Sequence, residues 1–458
     1  MILKAQWGLF SLLLFVAATP RLVRAQTSIP NLFNPLSASS PGVHLYGVSV
    51  FSGYYKGSAP FAVPIAVQTP SDPSYDVAVG ATASFGWNRS GERSGLSVNY
   101  STSYFGSVRH SEYNTFGHSF SASTYKQLHK WTLTFTASAG LSNYEQSIFN
   151  PSALTTVASI PTTFDDLASA ILGGSFTNSQ LASILTATPP LQSPEQAFLY
   201  GSRFLSTSLG TGLSYSISKR SSIQIGINAS RSQTLQSSAP SSVNGPILAP
   251  HSNTGGGINL GWSYSLNPRT TISASLGASR SFSTIESGYG TSANVSASRT
   301  MSRRLFLQGS VGAGTLLYVR HTFPIPGTVQ YIGSASAGFK TFAQTFLVSY
   351  NRTLGDSYGA GSGSTSGVTG SWHWKHPGSA WSVFSNFGYQ RLANQTLHNP
   401  TSWQGGAGAA RGLGSHTFMS VQYIYLRYLY RALSNPDGIG LSQNGVSLAL
   451  TWSPSTYR

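Results

Sequence analysis

His373 and His376, in "WHWKHPG", are the closest pair among ten histidines, and a bound metal ion would need two or more such ligands converging from one side. If Trp372 and Trp374 point one way along a strand, His373 points the other way and His376 falls in a turn, so the two rings diverge. Asp165 and Asp166, in "TTFDDLASAIL", are the one adjacent acidic pair. They stand where a helix N-terminus favours negative charge, which accounts for them without a Ca2+ site. A serine nucleophile on a strand-to-helix elbow would read Gly-x-Ser-x-Gly; the nearest stretch runs from Gly363 to Gly367 and has Thr365 at its centre. Neither a Gly-x-Gly-x-x-Gly nor a phosphate-cradling Walker loop is present. A chain with no cysteine has no thiol nucleophile, thiolate metal site or disulfide framework. No catalytic residue, metal ligand or cofactor is therefore assigned.

With no active-site motif to place, the patterning of the chain carries the information. In "TSLGTGLSYSISKRSSIQIGINAS" (207–230), Leu209, Leu213, Tyr215 and Ile217 alternate with Ser208, Gly210, Gly212, Ser214 and Ser216. After Lys219-Arg220, Ile223, Ile225 and Ile227 alternate with Gln224, Gly226 and Asn228. Period two means strands with one apolar and one small, polar face. The same alternation recurs along the chain, as in Tyr75 to Trp87, Trp131 to Leu141, Ile258 to Leu266 and Val446 to Trp452, and gives 18 strands, with 16 as the alternative. Their length of roughly ten residues or more suits a tilted bilayer crossing rather than an ordinary soluble strand.

Composition says which face looks inward. Charged residues make up 8% of the chain, against roughly 25% for an ordinary soluble domain, too few to clothe a water-facing surface. Hydrophobic residues are only 40%, so a bundle of membrane helices is excluded as well. An apolar face toward lipid and an uncharged polar face toward an internal lumen satisfies both numbers. Aromatic residues at opposite ends of one strand, Tyr75 with Trp87 and Trp381 with Tyr389, fit interfacial girdles. Tight connections such as "NPRT" (267–270) and "HPGS" (376–379) alternate with long ones near 55–74, 147–200, 235–254 and 432–440. Short turns at one end and long loops at the other are the periplasmic and extracellular ends of an up-and-down barrel.

The N-terminus reads as an export signal: Lys4, then the short apolar run "WGLFSLLLFVAA" (7–18), then "VRA" (23–25) with expected cleavage after Ala25. Residues 26–43 form a periplasmic segment and 44–454 the transmembrane barrel. Removing Lys4, Arg21 and Arg24 takes the formal charge from +16 to +13. The remaining cations are scattered among turns and loops, which points to lipid phosphates rather than nucleic acid. Arg109, Arg203, Arg231, Arg280, Arg320 and Arg391 fall on the loop side, beside lipopolysaccharide. Lys219, Arg220, Arg269, Arg303, Arg304 and Lys340 fall on the turn side.

On these strands, and on "QNGVSLAL" (443–450), the chain resembles outer-membrane β-barrel proteins of the porin-like and polysaccharide-export kinds. Gln443, Gly445, Leu448 and Leu450 resemble the terminal-strand signal of that class, though the chain continues through "TWSPSTYR". The resemblance implies a bacterial outer-membrane location and the barrel-assembly machinery as a partner. It implies an all-β, single antiparallel up-and-down barrel with short periplasmic turns.

The expected pore lining is neutral and hydroxyl-rich, with Ser208, Gly210, Gly212, Ser214, Ser216, Asn259 and Ser263 facing the lumen. The insertion 147–200, with Asp165 and Asp166, carries helix-like spacing and reads either as a gate or constriction or as a surface loop. Tyr423, Tyr425, Arg427, Tyr428 and Tyr430 read either as a sugar-stacking rim or as an interfacial belt. Three functions follow. The first is a conduit for neutral hydrophilic solutes, in its narrower form a gated polysaccharide-export pore with a periplasmic partner. The second is a surface interaction or adhesion barrel with a plugged lumen. The third is a membrane-embedded hydrolase.

Overall fold

The computed structural model describes residues 42–57, 74–91, 93–109, 114–143, 202–237, 252–283, 287–302, 304–320, 329–356, 362–375, 378–393, 401–414, 416–432 and 435–452. The expected signal segment 1–25 and the insertion 147–200, with the helices its spacing predicts, lie outside them. Long runs rich in β-branched and aromatic residues at every second position leave the backbone extended, and 18 strands form. The first nine are β1 (Gly42–Gly57), β2 (Ser74–Ser90), β3 (Ser94–Ser107), β4 (Thr115–Leu128), β5 (Trp131–Asn143), β6 (Ser202–Ser216), β7 (Ser221–Ser237), β8 (Asn253–Asn267) and β9 (Thr270–Ser283). The rest are β10 (Ser287–Thr300), β11 (Leu305–Arg320), β12 (Val329–Lys340), β13 (Gln344–Asp356), β14 (Ser362–Trp374), β15 (Trp381–Ala393), β16 (Thr401–Gly412), β17 (Thr417–Ala432) and β18 (Asn435–Trp452).

Each strand pairs antiparallel with its chain neighbours, and β1 pairs with β18, so the sheet closes on itself. The count is 18 rather than 16. One end carries only tight connections, such as 129–130 and 268–269, while the other carries 58–73, 144–201 and 238–252. His129 takes a φ of 53° to make the two-residue β4–β5 turn, and Gly378 a φ of 81° in the β14–β15 turn. One expected loop is absent: 432–440 is largely drawn into β17 and β18, with Tyr430 opposite Ile439 and Ala432 opposite Asn435.

Register sorts the side chains into two sets. Leu96, Thr124, Phe135, Thr211, Ile227, Ile258 and Ala278 are directly paired in one row from β3 to β9. One residue along each strand, the row reads Ser97, Ser123, Thr136, Gly210, Asn228, Gly257 and Ser279. Side chains spread apart on the convex face of a closed sheet and crowd together on the concave one. The first set holds exposed apolar residues such as Leu209, Ile258, Val311 and Val348, and is the outside. The second holds the most buried side chains, among them Phe105 at 3% exposure, Phe306 at 2% and Leu392 at 0%, and is the inside. Every strand except β14 presents exposed large hydrophobic side chains on the outer face. A continuous apolar belt of that extent has no place in water, and a closed barrel leaves no unpaired edge in lipid.

Candidate functional site: the barrel lumen

Inward-facing serines and threonines come directly opposite one another on neighbouring strands, so their hydroxyls pair across the sheet. Ser101 and Ser119 are 2.7 Å apart, Ser138 and Ser208 2.7 Å, Ser222 and Ser263 2.8 Å. Ser273 and Ser296 are 2.6 Å apart, Ser310 and Ser334 2.9 Å, Ser349 and Thr369 2.5 Å, and the Ser275 hydroxyl donates to Asn294 Oδ1 at 2.9 Å. The residues named from sequence lie in this set. On β6, Ser208, Gly210, Gly212, Ser214 and Ser216 share the face of Ser138, Thr136, Thr134 and Thr132, and on β8 Asn259 and Ser263 share that of Gly226 and Ser222. The Thr134 hydroxyl donates to the carbonyl of Gly212 at 3.3 Å, pulling its methyl and hydroxyl down against the wall.

The wall has two unlike arcs. From β4 to β9 the inward residues Ser119, Ser121, Ser138, Ser208, Asn228, Asn259 and Ser279 are exposed. From β17 through β18 and β1 to β3 they are buried: Gln422, Leu426, Tyr428, Ser447, Ala449, Ser49, Phe51, Tyr55, Ala78 and Phe105. Sequence reading gave a lining of Ser, Gly, Thr and Asn alone and missed these aromatic and aliphatic members. The rings do not project. Phe51 lies over Gly80, where an added Cβ would stand 2.3 Å from its Cζ, and Tyr55 lies over Gly445, where an added Cβ would stand 2.2 Å from its Cδ1. In the same way an added Cβ would stand 2.4 Å from Phe384 at Gly408 and 2.3 Å from Tyr125 at Gly95. Glycine is required opposite each ring because no other residue leaves room for it.

Charge is almost absent from the inner wall. Asp76 on β2 is the one acid whose side chain is described; it accepts from the Ser107 hydroxyl and, at 3.1 Å, from the backbone N–H of Arg109. Its charge is thus engaged in holding the start of the β3–β4 loop, while the Arg109 guanidinium sits 4.0 Å over the Tyr75 ring. Register assigns Lys340 and His373 to the inner face near the turn end, with His373 between Thr345 and Phe384. Lys56, Arg89, Lys126, Arg231, Arg280, Arg352, Arg391, Arg411 and Arg427 all fall in the outer set. These nine cations lie on the exterior.

Other residues singled out from sequence are dispersed. Tyr423, Tyr425 and Arg427 are outward, whereas Tyr428 is inward and 4% exposed, so β17 divides them between its faces instead of gathering them into one rim. Successive side chains on a strand point opposite ways, and the odd-numbered and even-numbered members part accordingly. The side chain of Tyr430 lies outside the described residues, as do Asp165, Asp166 and His376. Among the described residues no cluster of three His, Asp or Glu side chains could hold a metal ion.

Closure, strand count and the apolar exterior define a transmembrane β-barrel of the bacterial outer-membrane type. No family model and no curated protein sequence matches the chain. Among solved structures, it is similar to OpdL of Pseudomonas aeruginosa, at 9% identity and a TM-score of 0.42 over 90% of this chain and 99% of that one. It is also similar to OccAB4 of Acinetobacter baumannii, at 9% identity and a TM-score of 0.44 over 92% and 99%. The outer membrane protein opdK of Pseudomonas aeruginosa gives 10% identity and 0.42 over 90% and 99%. At these values the assignment of the fold rests on this chain's own strands, register and faces.

Proposed function

We propose that the barrel is an aqueous conduit across the outer membrane for uncharged, hydrophilic solutes. The observation that carries this reading is the exposed inward arc of β4 to β9, a wall of paired hydroxyls with no charged side chain among its described residues. Hydroxyls offer donors and acceptors to a hydrated sugar or polyol without the barrier or well that a charged ring gives to ions. The water path runs eccentrically along this arc, with Ser208, Gly210, Gly212, Ser214, Ser216 and Asn259 lining it, while Ser263, 9% exposed, is buried in the wall near the turn end. Export of a neutral polysaccharide is the narrower form of the reading. The rings lying over Gly80, Gly408 and Gly445 suit it, because they leave nothing on the wall for a polymer to catch.

Reconstitution in a planar bilayer under a KCl gradient tests the proposal. Conductance steps with a reversal potential near zero, together with swelling of proteoliposomes in neutral mono- and disaccharides, are expected. A barrel that is folded but silent in both assays would overturn it and favour an adhesion role carried by the loops. Strong preference for anions or cations would overturn the neutral-solute assignment alone.

A further inference from the structure

Near the loop end of the exterior, rows of different chemistry succeed one another across β13 to β16. Tyr350, Val368, Tyr389 and Trp403 are directly paired in one row. Two residues further toward the loops the row reads Arg352, Ser366, Arg391 and Thr401. Arg427 on β17 is paired with Trp403 and flanks the same patch. Apolar side chains, then aromatic ones, then cations is the order met on passing from hydrocarbon through the interface to the head groups.

Among the described side chains, no acid faces these cations. Arg391 and Arg427 are exposed, and the only acid with a described side chain, Asp76, lies on the inner face of another strand. Arg352 is held in place by both neighbouring strands, Tyr331 on β12 and Ser364 and Ser366 on β14. Its guanidinium lies 3.9 Å over the Tyr331 ring, and Nη1 donates to the Tyr331 hydroxyl at 2.9 Å. Nη2 donates to Ser364 Oγ at 3.2 Å and Nη1 also donates to Ser366 Oγ at 3.5 Å, and the buried Nε has no partner among the described residues. A fixed, partly desolvated guanidinium beside two free ones is costly at the edge of hydrocarbon unless an anion meets it. Neighbouring strands stand about 4.8 Å apart, so Arg352 and Arg391, one on each side of Ser366, are about 10 Å apart at the backbone. Side chains of that length can converge on one phosphate or take the two phosphates of one head group, each through a planar fork of N–H donors.

We propose that Arg352 and Arg391, with Arg427 beside them, form a binding site for the phosphate groups of a phosphorylated glycolipid of the outer leaflet. Tyr331 positions the first arginine, and the Tyr350–Tyr389–Trp403 row seats the start of the acyl chains. The site is independent of what passes through the lumen.

Purified, delipidated barrel would be titrated with diphosphorylated lipid A in detergent and the complex counted by native mass spectrometry. Retention of the lipid by the wild type is expected, with affinity lowered about tenfold in Arg391→Gln and largely restored in Arg391→Lys. Arg391 makes no contact that folding depends on, so this pair separates binding from stability. Arg411→Gln, an outward arginine over Trp381 at the turn end, should bind as the wild type does. Equal binding by Arg391→Gln, or by lipid A stripped of both phosphates, would overturn the site. Displacement of the lipid by an equimolar amount of inorganic pyrophosphate would overturn its assignment to a lipid.

Discussion

The inner wall is built twice over in different materials. Along the middle of β4 to β9 it is thin: small hydroxyl side chains, glycines and amides, open to water, with Thr115, Ser263 and Thr271 buried toward the strand ends. From β17 to β3 it is thick, with Phe51, Tyr55, Phe105, Leu426 and Tyr428 packed beneath 7% exposure. Both arcs use the same backbone, the same period and the same apolar exterior. The difference teaches that alternation specifies only that a residue faces inward. Whether it meets water depends on the neighbouring strand, above all on whether a glycine there lets a ring lie down.

Placing one charge in each arc should break the comparison most sharply. Ala449→Arg puts an unpaired cation under the packed arc at a cost of roughly 3–5 kcal/mol, and the barrel should fail to reach its heat-resistant folded band on a gel. Ser208→Arg in the open arc should fold normally, and its reversal potential in a KCl gradient should shift toward anions. A smaller contrast is expected from methyl groups. Gly80→Ala would set a carbon 2.3 Å from Phe51 Cζ and 2.5 Å from the Tyr104 carbonyl, whereas at Gly261 on the open arc the nearest atom is 3.9 Å away. The first should lower stability in vesicles by about 1–3 kcal/mol and the second by no more than about 0.5 kcal/mol, read from urea midpoints. The gentlest test changes almost nothing. The chain has no cysteine, so single replacements need no background removal. Ser138→Cys and Asn228→Cys should react with a water-soluble thiosulfonate in the folded barrel, and Ser447→Cys only after unfolding. Equal rates at all three would show that the two arcs are equally wet.

Most of the fold was legible because one face of each strand must satisfy lipid. Trp131, Leu133 and Phe135, or Ile223, Ile225 and Ile227, announce an outward set that nothing else in a lightly charged chain could explain. The inner set is less constrained, and doublets hide it. Val50-Phe51, Tyr54-Tyr55 and Tyr104-Phe105 each send one side chain to either face, and no local pattern says which of the two is inside. The top of β17 and β18 was hidden for another reason. Asn435, Pro436, Asp437 and Gly438 carry strong turn chemistry, yet pairing with β17 continues the ladder almost to the chain reversal. In the lumen, Ser208 to Ser216 could be read from spacing alone. The ring-on-glycine contacts could not, since Gly80 and Phe51 lie on different strands.

The ladder between β1 and β18, from Val48 opposite Trp452 to Gly57 opposite Gln443, joins the two segments furthest apart in the sequence. Until β18 has been delivered, the nascent sheet has two raw edges, and each stranded N–H or carbonyl in hydrocarbon costs several kcal/mol. Insertion is accordingly an all-or-none event for this chain. A ribosome that stops a single strand short leaves no smaller barrel behind, only a sheet that the membrane rejects.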